Sequence, residues 1–303
     1  MTTDLPIWRS LLYVPVNVER YVVKAHARGA DGIILDLEDS IAPADKQAAR
    51  GHVADAAARV GQSGADVLVR VNRPLELAVH DIDAAVSAGA AALLLPKIDS
   101  DSHVRLLAEV AHSAEIRAGR PAGSTRFAVM VETAEAFPRL FAIAAAHPRN
   151  VAVTLGGEDF ALATGSLPDP DVLLYPKQQV VLAASAAGIL PIGLIGTVAD
   201  YRDHEAVLAA IARSRRFGFV GSACIHPAIV PLLNDGFTPG DAECAGAQRI
   251  VTAFEAAKAE GRGSAEVDGK MIDIPVVERA ERLLRHAQRI EERRRTAPED
   301  IAP

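Results

Sequence analysis

A (β/α)8 TIM barrel with a C-terminal helical extension is the fold class that the sequence predicts, and three observations carry the prediction. Short β-rich runs alternate with Ala-rich amphipathic stretches in about eight pairs, the number that closes such a barrel. The runs are uninterrupted apolar segments rather than alternating ones, as strands covered on both faces should be. An open doubly wound sheet would need a Gly-rich phosphate turn behind its first strand, and YVPVNVERY offers none.

Taken in order, SLLYVP (10–15) opens the series and leads into a helical pattern over 17–29. GIILDLE (32–38) precedes a second helical pattern over 43–60, and DVLVRV (66–71) and ALLLPK (92–97) follow, the latter before a helix over 100–118. FAVMVET (127–133), VAVTLGG (151–157) and LPIGLIGT (190–197) continue the rhythm, with a helical pattern over 199–213 and then FGFVGSACI (217–225). The barrel is therefore expected over 1–236 and an appendage over 237–303. In that appendage DAECAGAQRIVTAFEAAKAEG reads as helix, RGSAEVDGKMIDIP as a Gly-rich segment, and VVERAERLLRHAQRIEERRR as a charged amphipathic helix. The closing TAPEDIAP is expected to fray.

Composition narrows the function classes. At 303 residues, 50% apolar and 23% charged, the chain suits one large domain, alone or with an extension. A formal charge of -7 argues against a nucleic-acid partner, which calls for a basic stripe, and favours small molecules. The two cysteines, Cys224 and Cys244, lie in unrelated contexts and suggest neither a disulfide framework nor a thiolate zinc site, so a reducing cytoplasm is expected. MTTDLPIWRS lacks an apolar signal core, and no apolar run reaches the roughly 20 residues that cross a bilayer, so no membrane partner is expected.

In a barrel of this class the active site lies where the strands end, so the polar residues closing each strand are the candidates. They are Asp36, Glu38 and Asp39 after the second run, Arg70 and Asn72 after the third, Lys97 after the fourth, Glu132 after the fifth, and Glu158 and Asp159 after the sixth. Several carboxylates cannot share a poorly solvated cleft as free anions, so a cation is required. Without a His pair or thiolate cluster that cation should be hard, and few carboxylates plus waters describe Mg2+ better than Zn2+.

Each candidate also has a plainer reading. Asp39 and Ser40 could cap a helix, and Glu132 could serve a helix N-terminus. The GGEDF stretch is more specific, because its glycines let backbone approach a ligand just before two carboxylates. Arg70, inside an apolar run, needs an anion, either a structural carboxylate or one on a substrate. Lys97 raises the rival of a Schiff-base aldolase, but surrounding carboxylates would push its pKa the wrong way. His226 before a proline reads as a helix-start or packing residue, and the cysteines as small packing residues.

Together RSLLYVPVN, DGIILDLEDSIAPADKQAAR, VRVN, LLLPKIDS, VMVETAEAF, GGEDFALATG, FGFVGSACIHPAIV and DGKMIDIP, in this order, resemble the citrate lyase β-subunit-like family of the aldolase/citrate lyase superfamily, from about residue 9 to residue 284. The resemblance implies a Mg2+-dependent carbon–carbon lyase acting on a 3-hydroxy acyl thioester such as malyl-, citramalyl- or citryl-CoA, releasing a 2-oxo acid and an acyl-CoA. It implies Glu132 and Asp159 as metal ligands, with Glu132 also at the substrate, and Asp36, Glu38 and Asp39 as the acidic motif holding metal-bound waters. Arg70 is implied as the grip on the substrate carboxylate. Asp273 is implied as an acid/base group that a neighbouring subunit brings over the site, in a homotrimer or a dimer of trimers.

Departures from the family's pattern fall where the CoA or acyl carrier is expected: Val16 replaces a glycine, Ser222 replaces a lysine, and LPIGLIGT lacks an acidic residue. Arg20 and Lys24 remain as candidate CoA phosphate contacts. Two alternatives stay open, an acyl-CoA thioesterase on the same scaffold and a β subunit that works only within a citrate lyase complex.

Overall fold

The computed structural model describes residues 5–196 and 202–296. The chain divides between Phe237 and Thr238 into two compact units.

The first unit contains β1 (Ser10–Pro15), β2 (Gly32–Asp36), β3 (Asp66–Arg70), β4 (Ala92–Leu95), β5 (Arg126–Val131), β6 (Asn150–Leu155), β7 (Leu190–Ile192) and β8 (Ser222–Cys224). All neighbours pair in parallel, in the order β7-β6-β5-β4-β3-β2-β1-β8. The ends of that order meet through a bridge between Ile192 and Gly221, with Gly193 N–H donating to the Gly221 carbonyl at 2.8 Å and Val220 N–H to that of Pro191 at 3.2 Å. The sheet thus closes into the expected barrel. Gly221 is required at the closure, since a Cβ there would lie 1.7 Å from the Trp8 carbonyl oxygen.

Two apolar layers explain why the runs are continuous rather than alternating. One set of strand residues, including Leu11, Ile34, Leu68, Ala92, Ala128, Ala152 and Ile192, clusters with Trp8 and fills the barrel interior. The residues between them, such as Leu12, Ile33, Leu35, Val69, Leu93, Val129 and Val153, cluster with the helices outside. Small Ala side chains on β4, β5 and β6 offset the bulk of Trp8 and Leu68, so the interior is packed rather than hollow.

Helices α1 (Glu19–Ala25), α2 (Lys46–Gly51), α3 (Val53–Val60), α4 (Leu75–Ser87), α5 (Asp101–Arg117), α6 (Leu140–Ala144), α7 (Gly157–Thr164), α8 (Leu174–Ala187), α9 (His204–Phe217) and α10 (Ile229–Phe237) connect and follow the strands. The pattern over 43–60 resolves into a 3-10 turn and two helices that break at His52. The pattern over 199–213 is observed as α9. The Asp203 side chain caps it by accepting from Ala206 N–H, and it runs on to Gly218 in the left-handed region, φ 105°. Phe217 therefore ends a helix, and the eighth strand is shorter than FGFVGSACI suggested. Residues 1–4, Thr197, the start of that helical pattern at 199–201, and all of TAPEDIAP after its first residue lie outside the described residues.

Charge pairs secure the ends where the strands begin. Arg9 donates to Asp31 through Nε at 2.8 Å and Nη2 at 2.7 Å, both residues being buried just before β1 and β2. Trp8 Nε1 donates to Asp66 at 2.7 Å. Arg149, just before β6, makes two 2.7 Å bonds to Glu115, which also accepts from Gly123 N–H and Thr125 N–H, each at 2.7 Å. These bonds hold the Glu115 carboxyl down at about 2 against the opposing effect of burial.

The second unit consists of α11 (Asp241–Ala259), an antiparallel hairpin of β9 (Ala265–Val267) and β10 (Lys270–Ile272), and α12 (Ile274–Thr296). Its own core joins Val251, Ile272, Val277 and Ala280. The Gly-rich segment of the sequence thus forms a β-hairpin. Asp268 and Gly269 make its two-residue turn with φ of 53° and 73°, the left-handed pair that matches strand twist.

Candidate active site

Asp36 and Arg70 are the last residues of β2 and β3, and strand register sets them side by side. Arg70 donates to Asp36 Oδ1 through Nε at 2.7 Å and to Oδ2 through Nη2 at 2.6 Å, a bidentate pair. Asp36 also accepts from Glu38 N–H at 2.9 Å and Ser40 N–H at 3.2 Å, folding the acidic turn around its own carboxylate. Burial works to raise the Asp36 carboxyl, but the Arg70 guanidinium more than offsets it and holds it below the ordinary range. The anion that a buried Arg70 requires is thus present within the chain. Its remaining Nη1 edge faces Glu38 at 3.0 Å and Asp39 at 3.4 Å. Lys46 and Asn72 brace the turn: Lys46 Nζ donates to the Leu37 and Glu38 carbonyls at 3.0 and 2.5 Å, and Asn72 Nδ2 to that of Leu37 at 2.9 Å.

Lys97, beyond β4, adopts φ 49°, a left-handed conformation that a long side chain rarely takes. The conformation turns its backbone N–H onto Glu132 Oε1 at 2.7 Å while its Nζ reaches Glu38 at 2.7 Å, Asp39 at 3.3 Å and Asp159 at 3.7 Å. Burial tends to lower its pKa, yet Glu38, Asp39 and Glu132 raise it above the ordinary value. Lys97 is therefore a fixed ammonium, and a neutral amine able to form a Schiff base finds no support.

Glu132 follows β5 and is 2% exposed. Burial pushes its carboxyl up to about 8, helped by the charges of Asp159 and Glu38 and opposed by the Lys97 N–H. Gly156 permits this packing, since a Cβ there would lie 2.0 Å from Glu132 Oε2. Glu158 and Asp159 sit in the first turn of α7, which starts immediately after the same glycine.

The donor chemistry fits a magnesium ion. A buried Glu132 cannot keep its charge unaided near neutral pH, and the charges of Glu132 and Asp159 act on one another beside a cavity open to water and substrate. Among the described residues no group of three or more His, Cys, Asp or Glu side chains could hold a metal.

Asp36, Asp39, Arg70, Glu132, Glu158 and Asp159 line one cavity of about 990 Å³, and Arg20 and Lys24 of α1 line it too. Asp273 lies in the second unit, between β10 and α12, where its carbonyl accepts from Val276 N–H and Val277 N–H at 3.1 Å each. Val16 and Ser222 are buried. His226 Nδ1 accepts from Ala228 N–H at 3.2 Å, as a helix-start residue would, and also lines the cavity. Cys224 is a buried free thiol pushed up to about 12 by burial.

Sequence reasoning passed over two residues of this cavity. Tyr13 of β1 lies with its ring 4.9 Å from the Arg70 guanidinium carbon. Lys177 of α8 is 6% exposed, and burial pushes its pKa down to about 8. Its Nζ donates to the Leu194 carbonyl at 2.6 Å and to that of Gly196, tying the segment after β7 to α8. A Tyr inside an apolar run and a Lys inside a helix give no local signal. An inward parity count along β1 would have found the first.

Residues 9–227 match the HpcH/HpaI aldolase/citrate lyase family. The chain is 32% identical to the citrate lyase subunit beta of Leuconostoc mesenteroides subsp. cremoris over 282 residues, which cover 92% of this chain and 93% of that one. It is 31% identical to an L-malyl-CoA/beta-methylmalyl-CoA lyase of Rhodobacter capsulatus, over 92% of this chain and 94% of the relative. A (3S)-malyl-CoA thioesterase of Cereibacter sphaeroides is 33% identical, over 93% and 95%. Among solved structures, CitE of Mycobacterium tuberculosis in complex with magnesium, acetoacetate and coenzyme A superposes with a TM-score of 0.74 at 29% identity, covering 94% of this chain and 99% of that one.

Proposed function

Because the chain belongs to the HpcH/HpaI aldolase/citrate lyase family, we propose that its barrel mouth is the active site of a magnesium-dependent carbon–carbon lyase cleaving a short 3-hydroxy acyl-CoA into a 2-oxo acid and an acyl-CoA. The observation that carries this reading is that the interacting pair Glu132 and Asp159, the Arg70–Asp36 pair and the α1 cations Arg20 and Lys24 all line one cavity. Relatives named for malyl-CoA, and a solved relative holding magnesium and coenzyme A, support the substrate class.

Glu132 and Asp159 would hold the magnesium, which when bound supplies Lewis-acid polarisation of the oxo acid's oxygens. Asp36 fixes the Arg70 guanidinium, and a substrate carboxylate would take its Nη1 edge by displacing the contacts that Glu38 and Asp39 make there. Asp36, Glu38 and Asp39 order waters and charge around this centre. Arg20 and Lys24 would receive the CoA phosphates. Asp273, supplied by a neighbouring subunit of a homotrimer, would protonate the acyl-CoA carbanion on cleavage and remove that proton in the reverse direction.

The test is a panel of malyl-, citramalyl- and citryl-CoA incubated with the isolated protein, with magnesium or with EDTA. A 2-oxo acid plus acyl-CoA, formed only with magnesium, supports the lyase. Free hydroxy acid plus CoA would instead establish the thioesterase reading, which the Cereibacter sphaeroides relative favours. No turnover by the protein alone would move it to the role of a complex-bound subunit.

A further inference from the structure

Tyr13 carries a hydroxyl that the reaction described above does not use. It is a β1 residue whose side chain sits with the barrel-interior set, and it lines the cavity beside Asp36, Arg70, Glu132 and Thr154. Its ring supports the Arg70 guanidinium at 4.9 Å, a cation–π contact that fixes the plane of the phenol. The charges of Asp36, Glu132 and Glu38 all bear on it, while no hydrogen bond to its hydroxyl is made from the described residues. Burial raises the phenol above its ordinary value, so it stays a neutral donor. β1 is also the strand that runs into α1, where Arg20 and Lys24 line the same cavity, followed at the same four-residue spacing by Arg28 in the 3-10 turn after the helix.

A ligand with its phosphates on α1 and its oxo-acid end at Glu132 and Asp159 would carry its thioester between them, along the cavity that Tyr13 of β1 also lines. We propose that the Tyr13 hydroxyl donates a hydrogen bond to the thioester carbonyl oxygen of the bound acyl-CoA. The bond strengthens as that oxygen takes on enolate charge, which makes Tyr13 a catalytic residue of the cleavage. The ring and the hydroxyl have separate tasks: the ring seats Arg70, and the hydroxyl serves the thioester. This inference rests on the CoA-thioester reading above and adds to it the group that distinguishes an acyl-CoA from free CoA.

Calorimetric titration of the full-length protein in magnesium, with acetyl-CoA and with CoA, tests it. The wild type should bind acetyl-CoA roughly two- to tenfold more tightly than CoA, the range one neutral hydrogen bond provides. Tyr13→Phe, which keeps the ring under Arg70, should abolish that preference with CoA affinity and melting temperature unchanged. It should also lower kcat by about 10- to 100-fold with little change in KM. Tyr13→Leu should weaken pyruvate binding as well, through Arg70. A Tyr13→Phe protein that keeps its acetyl-CoA preference would overturn the proposal, as would a wild type that binds both equally. Loss of pyruvate affinity in Tyr13→Phe would overturn it too, by placing the hydroxyl on the oxo acid. A wild type that binds neither CoA nor acetyl-CoA would overturn the CoA-thioester reading itself.

Discussion

The two ends of the barrel use the same residue types to opposite effect. Where strands begin, every acid named has a dedicated partner: Asp31 has Arg9, Asp66 has Trp8, and Glu115 has Arg149 with two backbone N–H groups. Where strands end, Asp36, Glu38, Asp39, Glu132 and Asp159 share the two cations Arg70 and Lys97, and Glu158 lines the same cavity. Burial is the largest effect on all three, but Asp36 takes most of Arg70 and falls below the ordinary range, whereas for Glu38 and Glu132 the opposing contacts do not offset burial and they rise above it. Balance at one end favours stability, and the crowded negative charge at the other is what the proposed magnesium would offset.

If that contrast holds, damage at the mouth should remove chemistry while damage at the base removes stability. The largest effect is expected from Glu132→Gln, which should lower magnesium affinity and turnover by at least about 100-fold, measured by calorimetry and product assay. Its fold should survive. Asp273→Asn should lose turnover with magnesium binding intact, and mixing it with Arg70→Ala protein should restore part of the activity; no recovery would exclude a site shared between subunits.

At the base, Glu115→Ala should cost about 3–5 kcal/mol by stranding Arg149, read as a lower denaturant midpoint with kcat unchanged at low temperature. Because the Glu115 carboxyl is held at about 2 rather than 4.5, its stabilisation is present above pH 4.5 and is lost as pH falls towards 2. Glu132 behaves in the opposite way. Its carboxyl at about 8 keeps a proton that the unfolded chain releases near 4.5, so in EDTA its contribution falls as pH rises between those values. Melting curves across pH should show that decline in the wild type, and Glu132→Gln should flatten it. The smallest effect lies far from both ends: Gly269→Ala, at φ 73°, should destabilise the hairpin unit by about 1 kcal/mol and leave chemistry untouched.

Much of the fold was legible because parallel strands buried on both faces are written as unbroken apolar runs, and all eight of them appear in the barrel. Errors fell at boundaries, where a tertiary contact decides. Phe217 reads as strand by composition, but Asp203 and Gly218 bracket it within a helix. The hairpin was missed although Asp268-Gly269 is its signal, because the flanking strands are only three residues long and half exposed. At the mouth, strand-end acids could be named from the sequence since they interrupt apolar runs. That Arg70 is taken up by Asp36, and that Lys97 bonds Glu132 through a left-handed backbone, depends on register between strands far apart in the chain.

The closure between β7 and β8 has a further consequence. Among the described residues, three-residue strands joined by one bridge and two backbone hydrogen bonds form a sparsely laced seam of the hoop, while β5 and β6, two interfaces away, share a longer ladder. Thermal breathing should begin at that seam, with the amides of Gly193 and Val220 trading their protons for deuterons sooner than those of the central strands. The seam borders the cavity wall that carries Ile192, Leu194 and Phe219, so the same loosening would give this wall, and not the acidic one, the slack to reshape around acyl groups of different bulk.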